Sequence, residues 1–189
     1  MSILKKILWL IFVTGVALVL IIWIFVSFAF RSPIFAFLVN WLIMSWVAVM
    51  GQFVTFPLFP SAYYEIKPFE RTGRFYERLG VHLFKKVVRG GLFSVFSPTL
   101  RFPAKKTTSA LKYLENEMWK AETSHVAIFL LILLLVGYAL FKGWWDAVAW
   151  LLLINILFNG YPVLLQRYNR IKIQDLINSG MTDSKQEDA

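Results

Sequence analysis

Residues 7–30 read ILWLIFVTGVALVLIIWIFVSFAF, a run of 24 residues that contains no Asp, Glu, Lys or Arg. A membrane-spanning helix needs roughly 20 apolar residues at a rise of about 1.5 Å each, so this run is long enough to cross a bilayer. It is too long for the apolar core of a signal peptide, which takes about 7–15 residues, and no small-x-small cleavage site follows it. The run therefore predicts a transmembrane helix that the protein retains.

Three further runs lack charged residues, and each is long enough to span a bilayer. They lie at residues 34–64, 123–141 and 147–166. Pro57 and Pro60 interrupt the first of these runs, so its helix is predicted to end in a bent, interfacial segment. The four predicted spans are 7–30, 34–56, 125–141 and 147–166.

The composition of the whole chain agrees with a membrane protein. Of its 189 residues 58% are apolar and 16% are charged, whereas soluble domains have about 45–50% and about 25%. The 18 Phe and 8 Trp residues suit aromatic belts at the membrane surface. With no Cys and two His residues, disulfides, Cys-ligated metals and multi-His metal centres are excluded. We expect one all-α integral membrane domain over 1–189 that binds no metal.

The distribution of basic residues predicts the orientation in the membrane. All of the 20 Lys and Arg residues except Arg31 and Lys142 lie near the N-terminus, between residues 61 and 125, or near the C-terminus. The positive-inside rule makes that side cytoplasmic. We therefore predict a multi-pass protein of the plasma or inner membrane with both termini in the cytoplasm. The polar tail 178–189 is predicted to be disordered.

Residues 61–125 form a predicted cytoplasmic insert with 12 basic and 6 acidic residues. Such a charge favours contact with anionic lipid headgroups, and we expect the bilayer, not nucleic acid, as the partner. An amphipathic helical stripe supports membrane attachment. Its members are Phe69, Tyr76, Leu79, Leu83 and Val87. Gly73 and Gly80 lie beside the stripe, either to let another backbone approach or because one of them breaks the helix.

The end of the insert carries a candidate catalytic pair. Leu111, Leu114 and Met118 recur at three- and four-residue steps, and the same spacing leads to Glu122 and His125. A carboxylate and an imidazole one helical turn apart at the membrane boundary are costly unless they are paired or used. Glu122 could orient and charge a His125 that acts as a general base. The alternative is a structural pair.

A second polar group lies at the other end of the last span. Asn159 is followed by Gln166-Arg167-Tyr168-Asn169-Arg170 at the predicted cytoplasmic exit. Arginines there complement the helix dipole and reach lipid phosphates, but their planar guanidinium groups also suit a phosphate or carboxylate ligand. If the last two spans pack as a hairpin, these residues and the Glu122–His125 pair could line one site.

Together these residues resemble a known family, the glycosyl-4,4'-diaponeurosporenoate acyltransferases. The resemblance covers roughly residues 60–177, and the block 166–170 is its most specific element. It is carried by Phe69, Glu70, Gly73, Tyr76, Leu79, Gly80, Lys85, Glu122, His125, Asn159 and the residues 166–170. Members of the family look like small membrane enzymes that esterify a sugar hydroxyl of a glycosylated carotenoid with a fatty acyl chain.

We form a hypothesis of the roles of these residues and of the neighbouring Arg71 and Arg74. His125 and Glu122 would be catalytic, and Asn159 or Arg167 would stabilise the oxyanion. An anionic acyl donor, such as acyl-CoA or another activated acyl group, would be a co-substrate, and no bound cofactor is expected. Substrate or donor would contact Asn159, Gln166, Arg167, Asn169, Arg170, Glu70, Arg71, Arg74 and Tyr76.

Two other functions stay open at this point. The chain could be another lipid-modifying membrane enzyme, such as a methyltransferase whose basic cytoplasmic face binds the cofactor. It could also be a non-catalytic membrane assembly protein, in which Glu122 and His125 are only a structural pair. A requirement for an acyl donor, and not for S-adenosylmethionine, distinguishes an acyltransferase from a methyltransferase. A non-catalytic assembly protein would show no turnover at all.

Overall fold

The structure is a computed structural model that describes residues 2–53, 59–90 and 107–179, without the side chains of residues 89 and 90. Within these ranges the regular structure is helical and no β-strand occurs. The α-helices are α1 (Ile3–Ser27), α2 (Pro33–Met50), α3 (Ser61–Tyr64), α4 (Arg74–Arg78), α5 (Val81–Gly90), α6 (Thr108–Phe141), α7 (Trp145–Asn155) and α8 (Tyr161–Asn178). A π-helical turn, Ile156–Gly160, joins α7 to α8.

Four of the helical stretches are long and apolar enough to cross a membrane. They are Ile3–Ser27, Pro33–Met50, Thr108–Phe141 and Trp145–Asn178. The prediction of an all-α membrane protein with four spanning helices is thereby confirmed. The predicted bent end of the second span, residues 54–58, and most of the predicted tail, residues 180–189, lie outside the described residues.

The last two spanning helices are longer than the charge-free runs within them. Helix α6 begins at Thr108 and not at the edge of the apolar run, because its Ala, Leu, Glu and Lys residues favour a helix and neither Gly nor Pro interrupts the chain before Gly137. The last helical stretch likewise continues beyond residue 166 to Asn178. A polar helical extension therefore precedes the apolar run of α6, and another follows the apolar run of the last helical stretch.

By its internal contacts the chain divides into two compact units. Unit 1 comprises Met1–Leu58 and Ser124–Gly160, and unit 2 comprises Phe59–Thr123 and Tyr161–Ala189. The core of unit 1 is formed by apolar side chains of α2, the second half of α6, and α7. Its buried members include Phe35, Val39, Ile43, Ile128, Ile132, Val148 and Leu151. By contrast α1 buries only Ala17 and Ile24 and exposes most of its apolar side chains, as a lipid-facing helix does.

The turns at one end of unit 1 are held by polar contacts. Ser32 caps α2, since its hydroxyl accepts a hydrogen bond from the Phe35 amide at 3.1 Å, and Pro33 occupies the first helical position. Arg31 Nε lies 2.9 Å from both carboxylate oxygens of Asp146, at the start of α7. The turn before α2 and the turn before α7 are thereby brought together.

Among its described residues, unit 2 has two small cores. One contains Tyr76, Val81, Val88, Leu165, Tyr168 and Ile171. The other joins Leu111, Leu114 and Met118 of α6 to Ile173 of α8, so the stripe that the sequence predicts on α6 is buried. Helix α8 contributes to both cores. It therefore holds the short helices α4 and α5 as well as the first half of α6.

The predicted amphipathic helix over residues 69–88 is broken into two. Gly80 adopts a positive φ of 76° between α4 and α5, which favours glycine, so the helix-breaking alternative applies. Tyr76 is buried, whereas Phe69, Leu83 and Val87 are 58–69% exposed. The stripe is thus divided between a core position and an exposed apolar surface, the kind of surface that inserts into a membrane interface.

Gly73 is a position at which this local structure does not tolerate a side chain. Its φ is 71°, and a Cβ atom there would lie 3.1 Å from Cε2 of the buried Tyr168 ring. Because both backbone strain and steric overlap oppose a side chain, Gly73→Ala should destabilise the protein by about 1–3 kcal/mol. Thermal unfolding in detergent measures this loss.

Gly15 is the matched control for that substitution. It lies within α1, and a Cβ atom there would meet nothing within 4 Å. Gly15→Ala should therefore cause no loss of stability. Equal melting temperatures for Gly73→Ala and the wild type would contradict the left-handed conformation at Gly73.

Candidate functional site

Glu122 and His125 lie one turn apart on α6, but their side chains belong to different polar clusters. The first, in unit 2, contains Glu122, Arg167, Arg170, Glu70 and Tyr76, and we call it the carboxylate–arginine network. The second, in unit 1, contains His125, Asn159, Asn155 and Asn40, and we call it the asparagine relay.

The centre of the carboxylate–arginine network is Glu122, which is completely buried. Its Oε1 accepts a hydrogen bond from Arg167 Nη1 at 2.9 Å, and its Oε2 accepts one from Arg170 Nη1 at 2.8 Å. Arg167 and Arg170 are three residues apart and so share one face of α8. Both carboxylate oxygens are thereby neutralised by arginines from the Gln-Arg-Tyr-Asn-Arg block.

Arg167 extends the network to a second carboxylate. Its Nε and Nη2 each lie 3.0 Å from an oxygen of Glu70, a two-point contact that a lysine could not reproduce. Its Nη1 and Nη2 also donate to the backbone carbonyls of Tyr63 and Glu65. A single guanidinium group thus ties α8 to α6 and to the segment 63–70.

Arg170 is the more deeply buried of the two arginines, with 1% of its surface exposed. Besides Glu122, it bonds to the backbone carbonyl of Tyr64 and stacks over the Trp119 ring, with 5.0 Å between the guanidinium carbon and the ring centroid. The network therefore contains two positive and two negative groups. A buried charge at this depth is tolerated because it is paired.

The contacts shift the pKa of two groups in the network, Glu70 and Tyr76, and of one group beside it, Tyr63. Burial alone would raise the pKa of Glu70, but hydrogen bonds from Arg167, Tyr76 and the Lys67 amide hold that pKa below its usual range. Burial, helped by the Glu70 carboxylate, raises the pKa of Tyr76. Burial and the Glu122 carboxylate raise the pKa of Tyr63 to about 12. At neutral pH Glu70 is therefore ionised, and the two tyrosines keep their protons.

The remaining predicted binding residues of unit 2 lie in different surroundings. Asn169 is buried and accepts a hydrogen bond from Lys85 Nζ at 2.9 Å. Gln166 is also buried, on the same helix. Arg71 and Arg74 are exposed. Of the four predicted binding arginines, Arg167 and Arg170 are engaged by carboxylates, and Arg71 and Arg74 point to the surface.

The asparagine relay brings together three helices of unit 1. His125 Nδ1 lies 3.2 Å from Asn159 Oδ1. Asn159 Nδ2 in turn lies 3.0 Å from Asn40 Oδ1 on α2 and 2.9 Å from Asn155 Oδ1 on α7. The three asparagines are completely buried, and His125 is partly buried. His125 thus has a polar partner, and that partner is an amide.

The backbone at Asn159 takes an unusual form. Asn159 lies within the π-helical turn Ile156–Gly160, and π-turns inside α-helices occur frequently at functional sites. Pro162 follows, and because it lacks an N–H group it cannot donate the usual bond to the residue four positions before it. A rearranged turn at this point presents Asn159 to His125 and to two other helices.

Two members of the relay, Asn40 and Asn155, are absent from the residues that sequence reasoning selects. Both lie inside spanning helices that appear uniformly apolar when only charged residues are counted. A signal was available, because buried polar residues within a membrane span are rare and usually have a functional or pairing role. Asn155 also lies four residues before Asn159, on the same helical face.

Glu122 should carry much of the stability of unit 2. Removing its charge by Glu122→Gln leaves Arg170 buried without a full counter-charge. Such a change typically costs about 3–5 kcal/mol. Thermal unfolding in detergent should show a large drop in melting temperature.

Glu117→Gln is the matched control on the same helix. Glu117 pairs with Lys120 at 2.6 Å, but both side chains are 31–40% exposed, so the loss of this pair should hardly change the melting temperature. A Glu122→Gln protein as stable as Glu117→Gln would contradict the central position of Glu122.

Comparison with known proteins identifies the family of the chain. A family model described as CrtO, glycosyl-4,4'-diaponeurosporenoate acyltransferase, matches residues 60–179, which is more than half of the 189-residue chain. No curated protein and no solved structure showed a significant match. The matched range contains the whole carboxylate–arginine network, and of the relay it contains His125, Asn155 and Asn159. The chain belongs to the glycosyl-4,4'-diaponeurosporenoate acyltransferase family, whose members are acyltransferases of carotenoid biosynthesis.

Proposed function

We propose that this membrane protein transfers a fatty acyl chain from an activated donor, such as acyl-CoA, to a sugar hydroxyl of a glycosylated carotenoid or a similar glycolipid. His125 is the general base of the reaction. The observation that carries this role is the hydrogen bond between His125 Nδ1 and Asn159. This bond holds one ring nitrogen, Nδ1, and we propose that the other, Nε2, acts on the substrate.

His125 is suited to this role by its chemistry and its surroundings. A general base near neutral pH is most often an imidazole, because proton transfer is efficient when the pKa lies near the working pH. His125 lies where the polar half of α6 meets its apolar half, so a hydroxyl on an amphiphilic acceptor can reach it while the lipid part remains in the bilayer.

The reaction follows from these positions. His125 Nε2 accepts the proton of the sugar hydroxyl while the hydroxyl oxygen attacks the acyl carbonyl carbon. The bond from that carbon to the leaving sulfur of a thioester then breaks, and His125 returns the proton to the sulfur. The products are the sugar ester and the free thiol, and no acyl-enzyme forms. The donor could also be another activated acyl compound, with its own leaving atom in place of sulfur.

Glu122 has a different role in this proposal from the one expected from its spacing. Since both of its oxygens bond to arginines, we propose that it positions the Gln-Arg-Tyr-Asn-Arg block and does not bond to the His125 ring. Glu70 and Tyr76 assist by holding Arg167. Asn159 orients His125 in place of stabilising the oxyanion, because its amide group already donates to Asn40 and Asn155.

We propose that the exposed Arg71 and Arg74 provide positive charge for the phosphates of an anionic donor. In this proposal phosphate is not bound by the four predicted binding residues of α8, which are Gln166, Arg167, Asn169 and Arg170. They hold the surrounding segments in position. From the distribution of basic residues we propose that unit 2 and both termini lie on the cytoplasmic side, where acyl-CoA is available.

The experiment is an acyl-transfer assay on purified protein in detergent. It supplies radiolabelled acyl-CoA and a glycosylated carotenoid acid or simple glycolipid, and it measures ester by chromatography and mass spectrometry. His125→Gln should lower the rate about 100-fold or more, because general base catalysis contributes about 10²–10⁴-fold. His82→Gln is the matched control. It changes the other histidine of the chain and should keep the rate.

The outcomes separate the parts of the proposal. Equal rates for His125→Gln and the wild type would remove His125 from the chemistry. Folded wild-type protein that forms no ester from any acyl donor would overturn acyl transfer for this chain. Methylated product from S-adenosylmethionine would favour the methyltransferase alternative.

A further inference from the structure

We infer that Asn40 and Asn155 are positioning residues that set the tautomer of His125 through Asn159, so that the lone pair lies on Nε2. The meaning of this for catalysis rests on the proposed function, but the tautomer itself can be measured without any activity.

Each end of the relay is fixed by a backbone carbonyl. Asn40 Nδ2 lies 2.9 Å from the carbonyl oxygen of Ala36, and Asn155 Nδ2 lies 3.1 Å from that of Phe129. A carbonyl oxygen can only accept a hydrogen bond, so the NH₂ group of each asparagine must face it. The Oδ1 atoms of Asn40 and Asn155 are therefore both directed to the middle of the relay.

The middle of the relay has one satisfactory orientation. Asn159 meets Oδ1 of Asn40 at 3.0 Å and Oδ1 of Asn155 at 2.9 Å. Two acceptors need two hydrogens, and within an amide only the NH₂ group has them. If the Asn159 amide were turned over, its oxygen would face two other oxygens in a buried site, where an unmade hydrogen bond costs about 1–3 kcal/mol per group. Asn159 Oδ1 must therefore face His125.

The contact between Asn159 and His125 determines which imidazole nitrogen carries the proton. Asn159 Oδ1 is an acceptor, and it lies 3.2 Å from His125 Nδ1, so Nδ1 carries the hydrogen. A neutral imidazole has one N–H group, and its other nitrogen, Nε2, then holds the lone pair. This is the form in which Nε2 can take a proton from a hydroxyl. The opposite tautomer would direct a lone pair at the oxygen of Asn159.

Burial makes the relay costly unless it has a role. Asn40, Asn155 and Asn159 are all completely buried, and a polar side chain in an apolar helix is unfavourable until its hydrogen bonds are satisfied. Each NH₂ group has an acceptor in the structure. Because a backbone carbonyl fixes each of its two ends, the relay has a single arrangement of donors and acceptors. In that arrangement the oxygen of Asn159 faces the titratable ring of His125.

Asn40 also extends the proposed site beyond the region that identifies the family. The family match begins at residue 60, whereas Asn40 lies on α2. The second spanning helix therefore contributes to the setting of His125 and is more than a membrane anchor. On this basis a protein that lacks α2 would lose one of the two groups that fix Asn159.

The test is nitrogen NMR of ¹⁵N-histidine-labelled full-length protein in detergent. The chain has only two histidines, so the His82→Gln background leaves His125 as the single reporter. At alkaline pH, where the ring is neutral, the protonated and unprotonated nitrogens have well-separated shifts. The inference predicts that Nδ1 is the protonated nitrogen. A predominant Nε2–H form in this protein would overturn it.

Variants then test whether the relay is the cause. Asn40→Leu keeps a similar volume and removes one anchor, and the double variant with Asn155→Leu removes both. The single change should produce a detectable share of the Nε2–H form, and the double change a larger share. Ser45→Ala, on the same helix, removes an exposed hydroxyl that donates to the backbone carbonyl of Trp41, one turn earlier, and it should leave the tautomer unchanged.

Activity gives an independent measurement. In the acyl-transfer assay kcat should fall in proportion to the share of the Nε2–H form, modestly for Asn40→Leu and more for the double variant, since a histidine in the wrong tautomer is a poor base. An unchanged Nδ1–H form in the folded double variant would overturn the role of Asn40 and Asn155. A correct tautomer in a wild type that forms no ester would leave the relay standing while the proposed function fails.

Discussion

The pairing of Glu122 with two arginines is the interaction on which much of unit 2 depends. A completely buried carboxylate is strongly unfavourable by itself, and here each of its oxygens accepts a hydrogen bond from a different arginine of α8. Arg167 then reaches Glu70 and the carbonyls of the segment before α4. The positions of α6, α8 and the short connecting segments are therefore fixed by one set of compensated charges.

The asparagine relay obeys the same constraint with neutral groups. Within the spanning helices a polar side chain must find a partner, and the three asparagines do so by bonding to one another and to backbone carbonyls. In unit 2 the paired charges stabilise the fold. In unit 1 the hydrogen-bonded asparagines contact a histidine, His125. We therefore propose that the first cluster mainly stabilises the fold and that the second takes part in the chemistry.

Much of this could be predicted from the sequence, and the rest depended on tertiary contacts. Charge-free runs predict the spanning helices because a bilayer excludes unpaired charges, and the three–four spacing of Leu111, Leu114 and Met118 predicts a buried face. The partner of Glu122 could not be read from its neighbours, since Arg167 is 45 residues away. Asn40 was missed because amides are neutral and do not interrupt a charge-free run. The break at Gly80 was one of two stated alternatives, and only the backbone could decide between them.

The claim that Nε2 of His125 performs the chemistry is tested most directly by chemical modification of the native chain. Diethyl pyrocarbonate acylates neutral imidazole nitrogens, mass spectrometry of peptides locates the adduct at His82 or His125, and hydroxylamine removes it. Ester formation is measured on the same samples. The account predicts that activity falls in proportion to the adduct at His125 and returns with hydroxylamine. Full activity in protein that carries the adduct at His125 would contradict it.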